Sequence, residues 1–155
     1  MTRLRPALAQ DVPTLLRLLS AMAAEAGRTI GSTEDSLRAG GFGPSRHFHA
    51  LLAEDDTGPL GMVLYFPEYS TWRGEMGLFV QDLYVAPAGR GAGLGRALLA
   101  GALAQADWSP RFLTLMVARK NAGARAFYQS LGLGLREDAD QLILQGQGLT
   151  ALRTR

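Results

Sequence analysis

The stretch Arg90-Gly91-Ala92-Gly93-Leu94-Gly95-Arg96 places three glycines and two arginines within seven consecutive positions. Glycines let backbone N–H groups come close to a ligand, and the arginines add positive charge, so the chemistry on offer is the capture of an anion such as a phosphate. The flanking residues strengthen this reading. Leu78-Phe79-Val80-Gln81-Asp82-Leu83-Tyr84-Val85 is rich in the apolar, aromatic and β-branched residues that suit a half-buried strand. Beyond the loop, Leu94, Ala97, Leu98, Gly101 and Ala102 recur three and four apart, as one face of a helix requires. In a strand, glycine loop and helix, the first helical N–H groups have no partner within the helix, and the positive end of its dipole faces the loop. A Walker loop is excluded because no Gly-Lys-Ser/Thr ends the stretch. A dinucleotide fingerprint is excluded because Arg96 stands where its third glycine must be.

The elements that must position this loop can be read in order. Thr2 to Ala7 suggests a first strand. Asp11 before Val12-Pro13 predicts a helix with a capping carboxylate and proline in its first turn. Val12, Leu15, Leu16, Leu19, Met22 and Ala23 share one face and Gly27 is a stop, so the helix is expected over about Val12 to Ala26. Ser32 or Thr33 caps a second, short helix through Leu37, ended by Gly40 and Gly41. His47 to Ala53 and Leu60 to Phe66 are two apolar runs joined by the polar stretch Glu54 to Pro59, a hairpin, with Glu68 to Gly74 as a loop at its far end. His47 and His49 would share a strand face, but no further ligand sits at a matching spacing, so no metal site is expected. Phe112 to Val117 reads as another strand. Ala124, Phe127, Tyr128 and Leu131 mark a helix closed by Gly132, and Leu133 to Arg136 and Gln141 to Leu149 are predicted as the last two strands. That order describes an α/β (α+β) mixed sheet with helices on both faces.

Composition narrows the function classes. At 155 residues and 47% hydrophobic content, the chain is expected to be one domain spanning 1–155. A net charge of +2, from 16 basic and 14 acidic residues, is not a nucleic-acid footprint. The absence of cysteine removes disulfides, thiolate metal sites and a cysteine nucleophile. No run approaches the ~18 apolar residues of a membrane span, and Met1-Thr2-Arg3-Leu4-Arg5-Pro6 has no apolar signal core. A cytoplasmic protein with no membrane partner is the expectation.

Arg90, Gly93 and Gly95 also fit Arg/Gln-x-x-Gly-x-Gly, which resembles the acetyl-coenzyme A (acetyl-CoA) loop of the GNAT (GCN5-related N-acetyltransferase) superfamily. The order of elements is similar too. Gly41-Phe42-Gly43, Trp72 with Gly74, Asp82-Leu83-Tyr84-Val85, and Val117-Ala118-Arg119-Lys120-Asn121 leading to Ala126-Phe127-Tyr128 resemble the spermidine/spermine (diamine) branch. The resemblance covers nearly the whole chain. It implies a mostly antiparallel central sheet of six to seven strands, with a V-shaped splay between the strands ending near Val85 and Val117. It further implies that acetyl-CoA lies with its pantetheine arm along the backbone of Leu83, Tyr84 and Val85. The pyrophosphate would rest on the amides of Arg90, Gly91, Ala92, Gly93, Leu94, Gly95 and Arg96, with Asn121 and Ala124 bordering the other side. A homodimer is common in the family, and no metal is implied.

Acyl transfer to an amine sets its own requirements. An alkyl ammonium with a pKa near 10 must lose a proton before it attacks. The thioester carbonyl must be polarised, and the departing sulfur benefits from a proton donor. By resemblance Tyr128 is that donor and Asp82 the base. Gln81 stands where the polyamine enzymes have a second carboxylate, and a neutral amide supplies neither charge attraction nor proton acceptance. Gln81, Glu25 and Trp72 are the candidate substrate-binding residues, and Glu25 is suited to one ammonium. The expected activity is transfer of acetyl from acetyl-CoA to a primary amine of a small molecule, by direct attack in a ternary complex. The alternatives are a protein lysine or N-terminal acetyltransferase and a non-catalytic acyl-CoA sensor.

Overall fold

In a computed structural model that describes residues 1–154, the chain forms two compact units, Met1–Met116 and the segment from Val117 onward. The first unit carries a five-stranded sheet in the order β1 (Arg3–Pro6), β2 (His49–Asp55), β3 (Gly58–Ser70), β4 (Glu75–Val85), β5 (Leu113–Leu115). All neighbours are antiparallel except β4 and β5, which run parallel. The sheet therefore has fewer strands than the six to seven expected, while its mixed, mostly antiparallel character holds.

Helices α1 (Val12–Glu25), α2 (Glu34–Phe42) and α3 (Leu94–Gln105) cover this sheet. Leu15, Leu18 and Leu19 of α1 and Leu37 of α2 pack with Ala50, Leu52, Met62, Leu64 and Tyr84, which point to one face by the two-residue strand alternation. The opposite face belongs to α3: an added Cβ on Gly101 would touch Leu51, and one on Gly61 would lie 3.3 Å from Leu98. Both faces being covered, the strands are apolar on both sides. Gly61 is a further requirement, because its added Cβ would also sit 2.7 Å from the carbonyl oxygen of Tyr84, a backbone atom that cannot swing aside. Gly61→Ala is expected to cost about 1–3 kcal/mol of stability, as overpacking does, which a denaturant titration measures.

Some boundaries move for identifiable reasons. Asp11 precedes α1 but does not cap it. Its carboxylate accepts from the Leu8 N–H at 2.8 Å and from Arg5 Nη1 and Nη2 at 2.6 and 2.9 Å. The Arg5 Nε in turn donates at 2.8 Å to Glu54, a buried carboxylate that Arg3 also meets. Gly27, at φ +66°, ends α1 as expected. Thr33 caps α2, accepting from the Ser36 N–H at 3.1 Å, but the helix continues through Gly40 and Gly41 to Phe42. These glycines face the Phe48 ring, only 2.6 Å from where a Cβ on Gly41 would sit. They are therefore packing glycines rather than stops. His47 lies outside β2, so it does not share a strand face with His49, whose ring stacks on Tyr65 at 5.6 Å. Glu68 and Tyr69 belong to β3 rather than to a loop, and Thr114 of β5 donates to Glu68 across β4.

In the second unit, α4 (Ala122–Ser130) is closed by Gly132 at φ +94°, and α5 covers Gln147–Arg153. The strands predicted over Leu133 to Arg136 and Gln141 to Leu149 do not form. A strand needs a neighbouring ladder, and neither run pairs with another among the described residues. Leu142 and Ile143 are accordingly 91% and 81% exposed, and Gly146 at φ +59° leads into α5 instead.

Candidate active site at the open edge of β4

β4 holds two partners along only part of its length. Its pairing with β5 covers Leu78↔Leu113 to Val80↔Leu115 and stops there, whereas its pairing with β3 continues to Val85. The last residues of β4 thus have an edge that no strand covers among the described residues. The Ala86 N–H donates to the Leu60 carbonyl at 2.8 Å. By the alternation of an antiparallel ladder, Tyr84 also faces β3, while the peptide groups of Leu83 and Val85 face the open edge.

The end of the β5 ladder coincides with a β-bulge. Leu64 pairs with Asp82 and Tyr65 with Val80, so Gln81 is the extra residue. The bulge puts Asp82 and Tyr84 on the face of Phe79, Phe66 and α1, and leaves Gln81 exposed at the turn of the strand. Asp82 is half-buried, and its carboxylate makes no hydrogen bond or ion pair among the described residues. Burial alone holds its pKa above the ordinary 3.8, because a carboxylate taken from water without a partner favours its neutral form.

Immediately after β4, a 3-10 turn at Pro87–Gly89 leads into the glycine loop. Gly91 and Gly93 have φ of +81° and +75°, and an added Cβ on either would find no atom within 4 Å. α3 starts at Leu94 with Gly93 as its N-cap, and the first bond of the helix runs from the Ala97 N–H to the Gly93 carbonyl at 3.1 Å. The N–H groups of Leu94, Gly95 and Arg96 therefore have no acceptor within the helix, and no side chain caps them. This is a set of open N–H donors at the positive end of a 12-residue helix.

Arg90 and Glu25, far apart in sequence, meet here. The Tyr84 hydroxyl donates to Glu25 Oε1 at 2.8 Å, and Arg90 Nη2 donates to Oε1 and Oε2 at 2.8 and 2.7 Å. Arg90 Nε also donates to the Val85 carbonyl at 2.9 Å. The arginine, then the tyrosine, hold Glu25 below its ordinary carboxylate range, while burial first and Glu25 second raise Tyr84. The Glu25 carboxylate is thus already engaged by Arg90. Nothing in the local sequence signals this contact, which depends on how the end of α1 lies against β4.

The remaining candidates fall elsewhere. Trp72 is 99% exposed at the tip between β3 and β4. Within β4 alone, the seven steps from Glu75 to Asp82 span about 23 Å, so the two are not brought together. In the second unit Asn121 caps α4, its Oδ1 accepting from the Ala124 N–H at 3.1 Å. Tyr128 is half-buried on the same helix with its ring 5.2 Å from Phe127. Among the described residues, no group of three or more histidine, aspartate or glutamate side chains is placed to hold a metal.

The profile of the acetyltransferase (GNAT) family matches residues 16–133. The thialysine N-epsilon-acetyltransferase of Bos taurus is 33% identical over 140 residues, covering 83% of this chain and 82% of that protein. The spermidine/spermine N(1)-acetyltransferase-like protein 1 of Homo sapiens is 33% identical over 106 residues, 63% of this chain but only 15% of that protein. Among solved structures, an integron cassette protein from the mobile metagenome of V. cholerae superposes with a TM-score of 0.82 at 18% identity, covering 99% of this chain and 98% of the other. At that identity the likeness speaks for the fold alone.

Proposed function

Because the chain belongs to the acetyltransferase (GNAT) family and is an N-acetyltransferase, we propose that it transfers acetyl from acetyl-CoA to a primary amine of a small molecule, by direct attack in a ternary complex. The observation that carries this reading is the uncovered end of β4 leading directly into a loop of open N–H groups. One feature alone would serve an extended amide chain and the other a phosphate. Acetyl-CoA has both, joined end to end.

On this reading the Leu83 peptide group and the Val85 N–H hold the pantetheine amides in strand fashion, the Val85 carbonyl being taken by Arg90, and the amides of the glycine loop hold the pyrophosphate. Space above Gly91 and Gly93 supports that fit. The family resemblance assigns Asn121 and Ala124 to acetyl-CoA as well. Acetyl-CoA supplies the acetyl group as a thioester. Asp82 accepts the proton of the incoming ammonium, directly or through one water, and its raised pKa makes it a stronger base than an exposed aspartate. Backbone N–H groups at the open edge polarise the carbonyl as charge gathers on its oxygen. As the new C–N bond forms and the C–S bond breaks, Tyr128 gives a proton to the sulfur. Gln81 lines the acceptor side as a neutral group, which disfavours a polyamine. The thialysine enzymes among the relatives favour an amine carried by an amino acid. A single 155-residue domain working as a cytoplasmic homodimer is part of the same reading, with Leu142 and Ile143 providing apolar surface for a second copy.

The test is a coenzyme-A release screen over thialysine, lysine, polyamines, aminoalkyl phosphonates and lysine peptides. Release with an amino-acid amine supports the reading. Release only with peptides would favour a protein acetyltransferase, and acetyl-CoA binding without release on any amine would leave a sensor.

Asp82 yields a paired expectation. Turnover needs its ionised form, so activity should fall as pH drops through a pKa lying above 3.8, and Asp82→Asn should lower kcat by about 10²-fold or more and remove that acid limb. Stability moves the other way. A carboxyl whose pKa is higher folded than unfolded adds no cost at low pH and its full cost once pH exceeds the folded value. At pH 7, Asp82→Asn should therefore melt higher than the parent protein, which calorimetric scans at pH 4 and 7 will measure.

A further inference from the structure

We propose that Glu25 is a positioning residue for the acetyl-CoA loop: through Arg90 and Tyr84 it buckles the end of α1 to the junction of β4 and the loop. The role rests on the acetyl-CoA reading above and assigns Glu25 to the co-substrate side of the site rather than to the acceptor amine.

Arg90 is the first residue of the glycine loop, and its side chain is used at both ends of the guanidinium. Nε closes back on the Val85 carbonyl, five residues earlier, and so ties the entry of the loop to the last residue of β4. Nη2 reaches both oxygens of Glu25, 65 residues away in sequence. A guanidinium is planar and rigid, so holding two of its nitrogens restrains the loop entry to which its side chain is joined. The third point is the Tyr84 hydroxyl on Glu25 Oε1. Tyr84 is only 7% exposed and packs in the cluster of Leu15, Leu19, Met62 and Leu64, so the buckle is anchored in the core. Arg90 also lies over the Tyr84 ring, 5.9 Å from its centroid.

Two consequences follow from the charges. Glu25 meets the Arg90 cation, so Arg90 serves the phosphate by holding the loop in shape rather than as a free charge. Arg96 makes no hydrogen bond or ion pair among the described residues and is the loop arginine left for an anion. A loop held in its binding shape loses less freedom when the ligand arrives, which raises affinity without a new contact.

Acetyl-CoA binding by calorimetry, with KM values for acetyl-CoA and for the amine found in the screen, tests this in Glu25→Ala, Glu25→Gln, Arg90→Ala and the Glu25→Ala/Arg90→Ala pair. Glu25→Ala is expected to weaken acetyl-CoA binding about fivefold, the scale of a half-exposed charge pair, with the change appearing in the KM for acetyl-CoA and not in the KM for the amine. Glu25→Gln keeps an oxygen for Tyr84 and Arg90 and should recover to within about twofold of the parent. The double variant should bind no worse than Arg90→Ala alone, because the two residues act as one unit. Unchanged or tighter acetyl-CoA binding in Glu25→Ala, losses that add in the double variant, or an effect confined to the KM of the amine would each overturn the proposal. A parent protein that binds no acetyl-CoA would instead remove the reading beneath it.

Discussion

Replacing Gly93 by valine is expected to weaken acetyl-CoA binding by about a hundredfold, while the protein stays folded. Gly93 is the N-cap of α3 at φ +75°, where a side chain is strained by about 1–2 kcal/mol. That strain alone lowers the melting point by only a few degrees in a chain of this size. The larger effect comes from where the side chain would go. An added Cβ on Gly93 meets nothing within 4 Å, so a valine side chain stands in open space at the start of α3, next to the Leu94, Gly95 and Arg96 amides on which the pyrophosphate would rest. Gly74, at φ +64° in the turn between β3 and β4, is the control. Gly74→Val carries similar backbone strain and should leave acetyl-CoA affinity as it was. Calorimetric affinities for the two variants separate strain from occlusion. Equal affinity in Gly93→Val and the parent would remove the loop as the phosphate site.

The second large effect belongs to Tyr128. Tyr128→Phe keeps the ring that packs beside Phe127 in α4 and removes only the hydroxyl. If that hydroxyl protonates the departing sulfur, kcat should drop by about 10²–10³-fold, within the range for a general acid, with acetyl-CoA affinity changed by less than about twofold. Transition-state stabilisation would be lost without loss of binding. Parent-like turnover in the variant would return Tyr128 to a packing role, since spacing at Ala124, Phe127, Tyr128 and Leu131 is that of an ordinary apolar helix face.

The two sites differ in how far they could be read from the chain. The glycine loop is local: strand residues, glycines at positive φ and a helical repeat follow one another, and backbone chemistry over twenty residues specifies the arrangement. The bulge at Gln81 is not local. β4 is covered by helices on both faces, so the runs Leu78 to Val80 and Leu83 to Val85 on either side of Gln81 and Asp82 are apolar at every position, and a one-residue slip between them leaves no mark in the hydrophobic pattern. The tail illustrates the opposite error. Leu133 to Arg136 and Gln141 to Leu149 have strand-forming composition, yet such a propensity is realised only where a ladder receives it; among the described residues, these runs pair with no strand.

Sequence alone determined the elements that need only near neighbours: the loop from Arg90 to Arg96, the start of α3, the stop at Gly27 and a cap at Ser32 or Thr33, of which the structure uses Thr33. Each follows from steric or hydrogen-bonding rules acting within a few residues. Tertiary structure alone decided that β5 pairs with β4 no further than Val80, that Asp82 shares a face with Tyr84 and Phe79, and that Glu25 is held by Arg90. Those outcomes depend on strand register and on the placement of α1 against the sheet, where residues dozens of positions apart compete for the same partner. A carboxylate at a helix end looks available in the chain, and in the fold an arginine has already claimed it.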